Sequence, residues 1–253
     1  MKSLMLKAAK AAGKVILENY GKIDKLKFKA PRSIVTKADI LSEQTIVKII
    51  RKKFPEHNFL TEESDFIDKK SKFTWIIDPI DGTTNFVSEI PNFAVSIALA
   101  KNNSVVMGIV YNPCSDEIYL AEKGKGSYLN NKRLKVSTKK KFKECVLGFS
   151  LPSDIGLSKK SLSILSRNYG TFRALRNSGS AALNLCYVAD KKFDLYFTLN
   201  LNSWDVAAAK LVVEEAGGKT TNTHNKKWTI EDRSIVGSNR IMHNKFIRLL
   251  KLI

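Results

Sequence analysis

The sequence is poor in the side chains that most often do chemistry through sulfur or imidazole nitrogen. Its 253 residues hold three cysteines, Cys114, Cys145 and Cys186, and three histidines, His57, His224 and His243. The cysteine count is odd, no two lie close in sequence and no CxxC occurs, which argues against a disulfide framework or a thiolate zinc site. All three read as small buried apolar residues in a reducing cytoplasm. The histidines have no zinc-type spacing and suggest neither a Ser–His–Asp constellation nor a phosphohistidine. Long apolar runs are also missing. Lys7, Lys10 and Lys14 interrupt the N-terminal apolar residues, so no signal-peptide core forms, and stretches such as 93–100 are too short to span a bilayer. A cytoplasmic protein with no membrane partner is expected. Acidic residues are scarce, 24 against 43 basic, for a formal net charge of +19. Such an excess can mean a nucleic-acid, membrane or anionic-substrate partner. Lys outnumbers Arg 34 to 9, however, and the densest basic stretch, 132–143, has Phe142 as its only aromatic. That favours a solvated surface with some attraction for anions over a dedicated nucleic-acid site.

What is present suffices for a full core: 43% hydrophobic residues, with no repeat and no low-complexity segment. Periodicity predicts helices over 3–19 and 40–53, followed by Gly21 and Pro55, and strands over 73–77, 93–100 and 105–111. Gly124, Gly126 and Asn130-Asn131 punctuate further short strands. Beyond them, helices near 159–167, 180–190 and 205–216 alternate with strands near 145–149, 193–198 and 234–237, and a last helix covers 242–250. The pattern divides into an α+β half, residues 1–143, and a more α/β half, residues 144–253.

The sharpest feature is Asp78-Pro79-Ile80-Asp81-Gly82-Thr83-Thr84-Asn85-Phe86, directly after a strand. Two carboxylates three residues apart, with Pro79 restraining the chain between them, can aim oxygen ligands at one point, as a hard cation requires. Gly82, Thr83 and Thr84 are expected to open a short helix whose free N–H groups cradle a phosphate. Metal ligands beside a phosphate cradle are what metal-assisted phosphate hydrolysis needs. Taken alone, the same residues read as an Asp-rich turn with a helix cap. Glu62 and Glu63 follow the strand-like Phe59-Leu60. Asp39 stands where the second helix opens and competes for a plain capping role. Asp205 lies in the first turn of a helix rich in small residues, Ala207 to Ala209, and ended by Gly217-Gly218. Two other motifs fail. Gly217-Gly218-Lys219-Thr220 lacks the earlier glycine of a P-loop, because position 213 is Val, and Gly124-Lys125-Gly126 lacks the third glycine of a dinucleotide fingerprint.

Taken together, 78–86, 204–218 and 61–64 resemble the signature set of the inositol monophosphatase family, and most closely its bacterial SuhB-like branch. The likeness runs along nearly the whole chain, through 35–39, 108–113, Gly124-x-Gly126 and 176–182. The resemblance implies an α/β (α+β) fold, a layered αβαβα sandwich that is usually dimeric. It implies magnesium-dependent hydrolysis of a small phosphorylated alcohol of the inositol 1-phosphate type. Two or three Mg²⁺ ions would be held by Glu62, Asp78, the Ile80 carbonyl, Asp81 and Asp205, with lithium inhibiting near Asp205. Gly82, Thr83 and Thr84 would hold the phosphate. Thr83 and Asp39, with Glu62, would prepare the attacking water, and Glu63 would stand behind the ligands. Gly179, Ser180, Ala181 and Asp205 would face the alcohol. One position departs: seven residues before Asp205, where many relatives carry a sugar-reading Glu, this chain has Thr198. That leaves open a sugar bisphosphatase or nucleotide 3′-phosphatase on the same scaffold. A SuhB-like partnership with the transcription and ribosomal-RNA machinery, with catalysis secondary, is the reading from another class.

Overall fold

The computed structural model describes residues 1–22, 27–30 and 33–251. Helix α1 (Lys2–Asn19) buries Met5, Ala8, Ala9, Ala12 and Ile16, a stripe at helical spacing. A small antiparallel pair, β1 (Lys27–Ala30) and β2 (Ser33–Val35), leads to α2 (Lys37–Arg51). This helix starts three residues before the predicted position because Thr36 caps it: Asp39 at the third helical position accepts from the Thr36 backbone N–H, and the Thr36 hydroxyl accepts in return.

Both helices lie on one face of a seven-stranded sheet. Its strands, in spatial order, are β3 (Asn58–Thr61), β4 (Phe73–Asp81), β5 (Ala94–Lys101), β6 (Ser104–Asn112), β7 (Glu117–Glu122), β8 (Gly126–Leu129) and β9 (Lys132–Arg133). The β3–β4 pair is parallel and the rest is an antiparallel meander. Side chains alternate across it. Trp75, Ile77, Val95, Ile97 and Ile109 pack on α1 and α2, whereas Ile76, Ala94, Ala98 and Val110 face the other way. Burial on both faces explains why β5 reads as a nearly continuous apolar run, interrupted by Ser96 and ended by Lys101. After β4 comes the short α3 (Thr83–Val87).

The chain then builds β10 (Val146–Phe149), α4 (Ile155–Arg167), β11 (Ala174–Arg176), α5 (Ala181–Ala189), β12 (Leu195–Thr198), α6 (Ser203–Glu215), β13 (Lys219–Thr221), β14 (Ile235–Ser238) and α7 (His243–Lys251). These strands form a second sheet, ordered β11-β10-β12-β14-β13. Helices α5 and α6 fill the space between the sheets, sharing one core with Ala94, Ala98 and Val110 on one side and Tyr196 and Ile235 on the other. Residues from α4 and α7 cover the outer face of the second sheet, around Leu147, Phe197 and Val236. The layers therefore run α, β, α, β, α. The strands of the first sheet fall within 58–133 and those of the second within 146–238, while the α5–α6 core joins them. Helix and sheet approach closely at Gly108 in β6, where a Cβ would stand 2.7 Å from the Ala208 carbonyl oxygen. The small residues of α6 are what let helix and sheet meet there.

Two expectations change. Strand β4 does not stop at Ile77 but carries Asp78 to Asp81 within it, with its register against β5 shifting between Asp78 and Asp81. Pro79, which has no N–H to give a ladder, is accommodated at that irregularity. Cys114 is exposed, whereas Cys145 and Cys186 are buried as expected; it follows Pro113 in the turn between β6 and β7 and belongs to no core cluster.

Candidate active site

The irregular end of β4 is fixed from several sides. The Ser42 hydroxyl on α2 donates to the Pro79 carbonyl at 3.1 Å, and the Ile80 N–H donates to Asp78 Oδ1 at 3.0 Å. Gly82 then turns the chain with φ +98°, and a Cβ there would press on the Gly179 and Asn92 carbonyl oxygens at 3.1 and 3.3 Å. Only glycine combines that conformation with that closeness. The N–H groups of Gly82, Thr83 and Thr84 donate to no described residue, so the first turn of α3 is open to an anion. The Thr83 hydroxyl has two acceptors within reach, the Ile80 carbonyl at 3.0 Å and Asp39 Oδ1 at 3.3 Å. Asp39 is fully buried, its other oxygen held by the Thr36 N–H at 2.8 Å and hydroxyl at 2.6 Å. Capping and the contact with Thr83 use different oxygens, so the two roles for Asp39 are compatible.

Four carboxylates feel one another here. Asp78 is buried and its carboxyl is pushed well above the usual range, by burial first and then by the charges of Glu62, Asp81 and Asp205. Asp205 is raised as well, by burial and by Asp81 and Glu62, with the Asn202 N–H and the Arg233 charge pulling the other way. Asp81 rises to about 6 through burial, partly offset by hydrogen bonds from the Ser180 hydroxyl and the backbone N–H groups of Ala182 and Ala181. These bonds put Asp81, from the first sheet, at the N-terminus of α5.

A cavity of about 300 Å³ opens between these groups. Of the residues singled out from the sequence, Glu62, Asp81, Gly82, Thr83 and Thr84 line it from one half, and Gly179, Ala181, Thr198 and Asp205 from the other. Asp39, Asp78, Ile80 and Ser180 stand behind that lining. Ser180, expected to face the alcohol, instead turns its hydroxyl to Asp81 and accepts from the Leu183 N–H, capping α5. Thr198 borders the cavity but is only 1% exposed, its hydroxyl 3.5 Å from the Asn200 carbonyl. Among the described residues, no three His, Cys, Asp or Glu side chains are gathered at metal-ligand spacing. The donor chemistry nevertheless fits a hard divalent cation: all the donors are oxygens, and three of the acids hold raised pKa values that a cation would relieve.

Some contributors gave no signal in the sequence. Glu43 looks like a surface residue of an amphipathic helix, yet it is 2% exposed and accepts from the Glu63 N–H at 2.8 Å and from the Ser64 hydroxyl. It anchors the loop that carries Glu62. Asn85 donates to the Asn92 and Ser178 carbonyls, both at 2.7 Å, stitching α3 to the segment before α5. The lining also contains Ser150, Ser153, Asn200, Asn202 and Arg233, all in loops without a recognisable motif.

The five-layer fold and its acid-lined cavity beside an open helix N-terminus define a phosphatase. The chain belongs to the inositol monophosphatase family, whose profile matches residues 1–253. Enzymes of this family are generally metal-dependent. The chain is 37% identical over 257 residues to an inositol-1-monophosphatase of Caulobacter vibrioides, covering 98% of this chain and 99% of that one. It is 39% identical over 228 residues to the Nus factor SuhB of Haemophilus influenzae, covering 86% and 83%. The crystal structure of the extragenic suppressor protein suhB from Bartonella henselae superposes with a TM-score of 0.95 at 36% identity, over 99% of this chain and 98% of the other. Among the described residues no helix is long and apolar enough to cross a membrane.

Proposed function

We propose that this chain hydrolyses small phosphate monoesters of the inositol 1-phosphate type and uses magnesium to do so. The observation that carries the proposal is the convergence of Glu62, Asp81 and Asp205, backed by Asp78, on the same cavity as the unengaged N–H groups of 82–84. Glu62, Asp78, the Ile80 carbonyl, Asp81 and Asp205 would hold two or three ions. When bound, such ions neutralise phosphoryl oxygens, acidify water and stabilise a leaving alkoxide. The N–H groups of Gly82 and Thr83 bind the phosphate and fix its orientation. Thr83 and Asp39 take up the proton of the attacking water, the Thr83 hydroxyl passing it toward Asp39 Oδ1. Gly179 and Ala181 bound the alcohol. Lithium would compete near Asp205, and the family likeness supports a homodimer working in the cytoplasm.

The test is phosphate release from inositol 1-phosphate and glycerol 2-phosphate with magnesium, with calcium, and after exhaustive chelation. Magnesium should support turnover, and calcium, larger and looser in geometry, should not. Full activity without any divalent ion would sink the reading. A second reading is favoured by the Nus factor relative together with the +19 charge: an RNA- or transcription-associated role alongside catalysis. An RNA gel shift whose affinity falls steeply with salt supports it.

A further inference from the structure

Ser150 follows β10 and lines the cavity, half-buried, and its N–H donates to the Phe197 carbonyl of β12 at 3.3 Å. Two side chains that do not line the cavity reach its hydroxyl oxygen from within the protein. The Tyr196 hydroxyl donates to Ser150 Oγ at 2.9 Å, and Asn184 Nδ2 donates to the same atom at 3.3 Å. Both donors are fully buried, and neither is free to exchange its role. Burial holds the Tyr196 phenol well above its ordinary pKa, so it keeps its proton. The Asn184 amide is oriented at its other end, where Oδ1 accepts from the Ser178 hydroxyl at 2.7 Å.

A serine oxygen has two lone pairs and one proton. Here both lone pairs are taken, and the proton meets no acceptor among the described residues. Tetrahedral geometry at the oxygen turns that proton away from Tyr196 and Asn184. Ser150 is therefore a neutral donor that has lost its capacity to accept. Gly179 and Ala181, which also line the cavity, bring no side-chain donor of their own. An oxygen of the alcohol placed at Ser150 completes its hydrogen bonding. An apolar ring carbon in the same place leaves the Ser150 proton unpaired, and a site built to hydrogen-bond a group rejects analogues that lack it.

We propose that Ser150 is a specificity-determining residue that donates to an oxygen on the alcohol of the substrate, and that Tyr196, which the substrate does not touch, is the positioning residue that keeps Ser150 a donor. This rests on the phosphatase reading above and assigns the residues that choose the alcohol. The test is kcat/KM on inositol 1-phosphate and on cyclohexyl phosphate, the same ring without hydroxyls. Ser150→Ala removes the donor and should lower the inositol-to-cyclohexyl ratio of kcat/KM about three- to tenfold, mainly through KM for inositol 1-phosphate. Tyr196→Phe keeps the Ser150 hydroxyl but frees one lone pair, so the hydroxyl can turn, and the same ratio should fall roughly two- to threefold. In the double variant the ratio should equal that of Ser150→Ala, because Tyr196 acts through Ser150. If Ser150→Ala fails to fold, Tyr196→Phe reads the same ratio by itself. An unchanged ratio overturns the proposal. Equal losses on both esters also overturn it, because they mean that Ser150 serves the phosphate or the fold rather than the alcohol. A fall in Ser150→Ala with none in Tyr196→Phe, or a further fall in the double variant, overturns the role of Tyr196. A wild-type protein inactive on both esters overturns the phosphatase reading itself, a separate failure.

Discussion

Asp81 shows how much one carboxylate is asked to do. It lines the cavity, and it also accepts from Ser180, Ala181 and Ala182 at the start of α5. Asp81→Asn keeps the shape and removes the charge, so most activity should go while circular dichroism stays native. The folded-state pKa of Asp81 lies above its ordinary 3.8, near 6, because burial opposes the charge. The metal-free wild type therefore loses stability as pH rises from about 4 to about 6, where the folded state gives up a proton it favoured keeping. The melting-temperature gap between metal-free Asp81→Asn and wild type should move in favour of the variant across that interval and level off above it; a gap independent of pH would contradict the assignment. As a control, Glu117→Gln on β7 weakens a partly exposed pair with Lys192 at 3.0 Å and an exposed hydrogen bond from the Ser115 hydroxyl, and such pairs contribute about 0–1 kcal/mol. It should leave turnover unchanged. Thr83→Ala tests proton handling. With the backbone cradle intact, the loss should fall on kcat rather than KM, by roughly 10²–10⁴-fold as for a general base. Near-normal turnover would leave Asp39 with its helix-capping role and none in proton handling.

At the scale of elements, the sequence was legible wherever a residue type served a single local need. Gly82 at a positive φ, Gly217 after α6 and the β5–β6 pair all follow from turn chemistry and periodicity. The extent of β4 did not. A proline between two acids reads as the end of a strand, and only the neighbouring β5 and the Ser42 hydroxyl, remote in sequence, keep Pro79 inside it. Glu43 and Arg233 were hidden for the same reason, since their meaning comes from tertiary neighbours. Two predictions belong here. Gly108→Ala would drive a methyl against the Ala208 backbone and shift α6, the helix that carries Asp205. Overpacking of this kind costs about 1–3 kcal/mol, and both denaturation midpoint and turnover should fall together. His243 opens α7, fully buried between the Thr221 hydroxyl at 2.9 Å and the Ser238 hydroxyl at 2.7 Å. Burial first, then the Lys219 and Arg240 charges, push its pKa down to about 4. The unfolded chain takes up a proton near 6.5 that the fold refuses until about pH 4, so stability drains away as pH falls through that window, by up to on the order of 3 kcal/mol. Acid unfolding followed by tryptophan fluorescence should flatten between pH 6.5 and 4 in His243→Gln; an unaltered slope would remove His243 from the account.

The whole molecule is assembled around a helical layer that belongs to neither sheet alone. Helix α6 packs Ala207 to Ala209 into the core beneath β5 and β6, and its first turn brings Asp205 to acids that lie far earlier in the chain. This arrangement also has a consequence in time. During synthesis Glu62, Asp78 and Asp81 leave the ribosome long before Asp205, and the inner face of the first sheet, with Ala94, Ala98 and Val110, lacks its α5–α6 cover until residues 181–215 emerge. An uncovered apolar sheet face is adhesive toward other chains, and contacts between segments so distant in sequence form slowly. The nascent chain thus passes through an interval in which one face of its largest sheet is bare and its acids have no fourth member. The full ligand set comes into existence only as the middle helical layer closes.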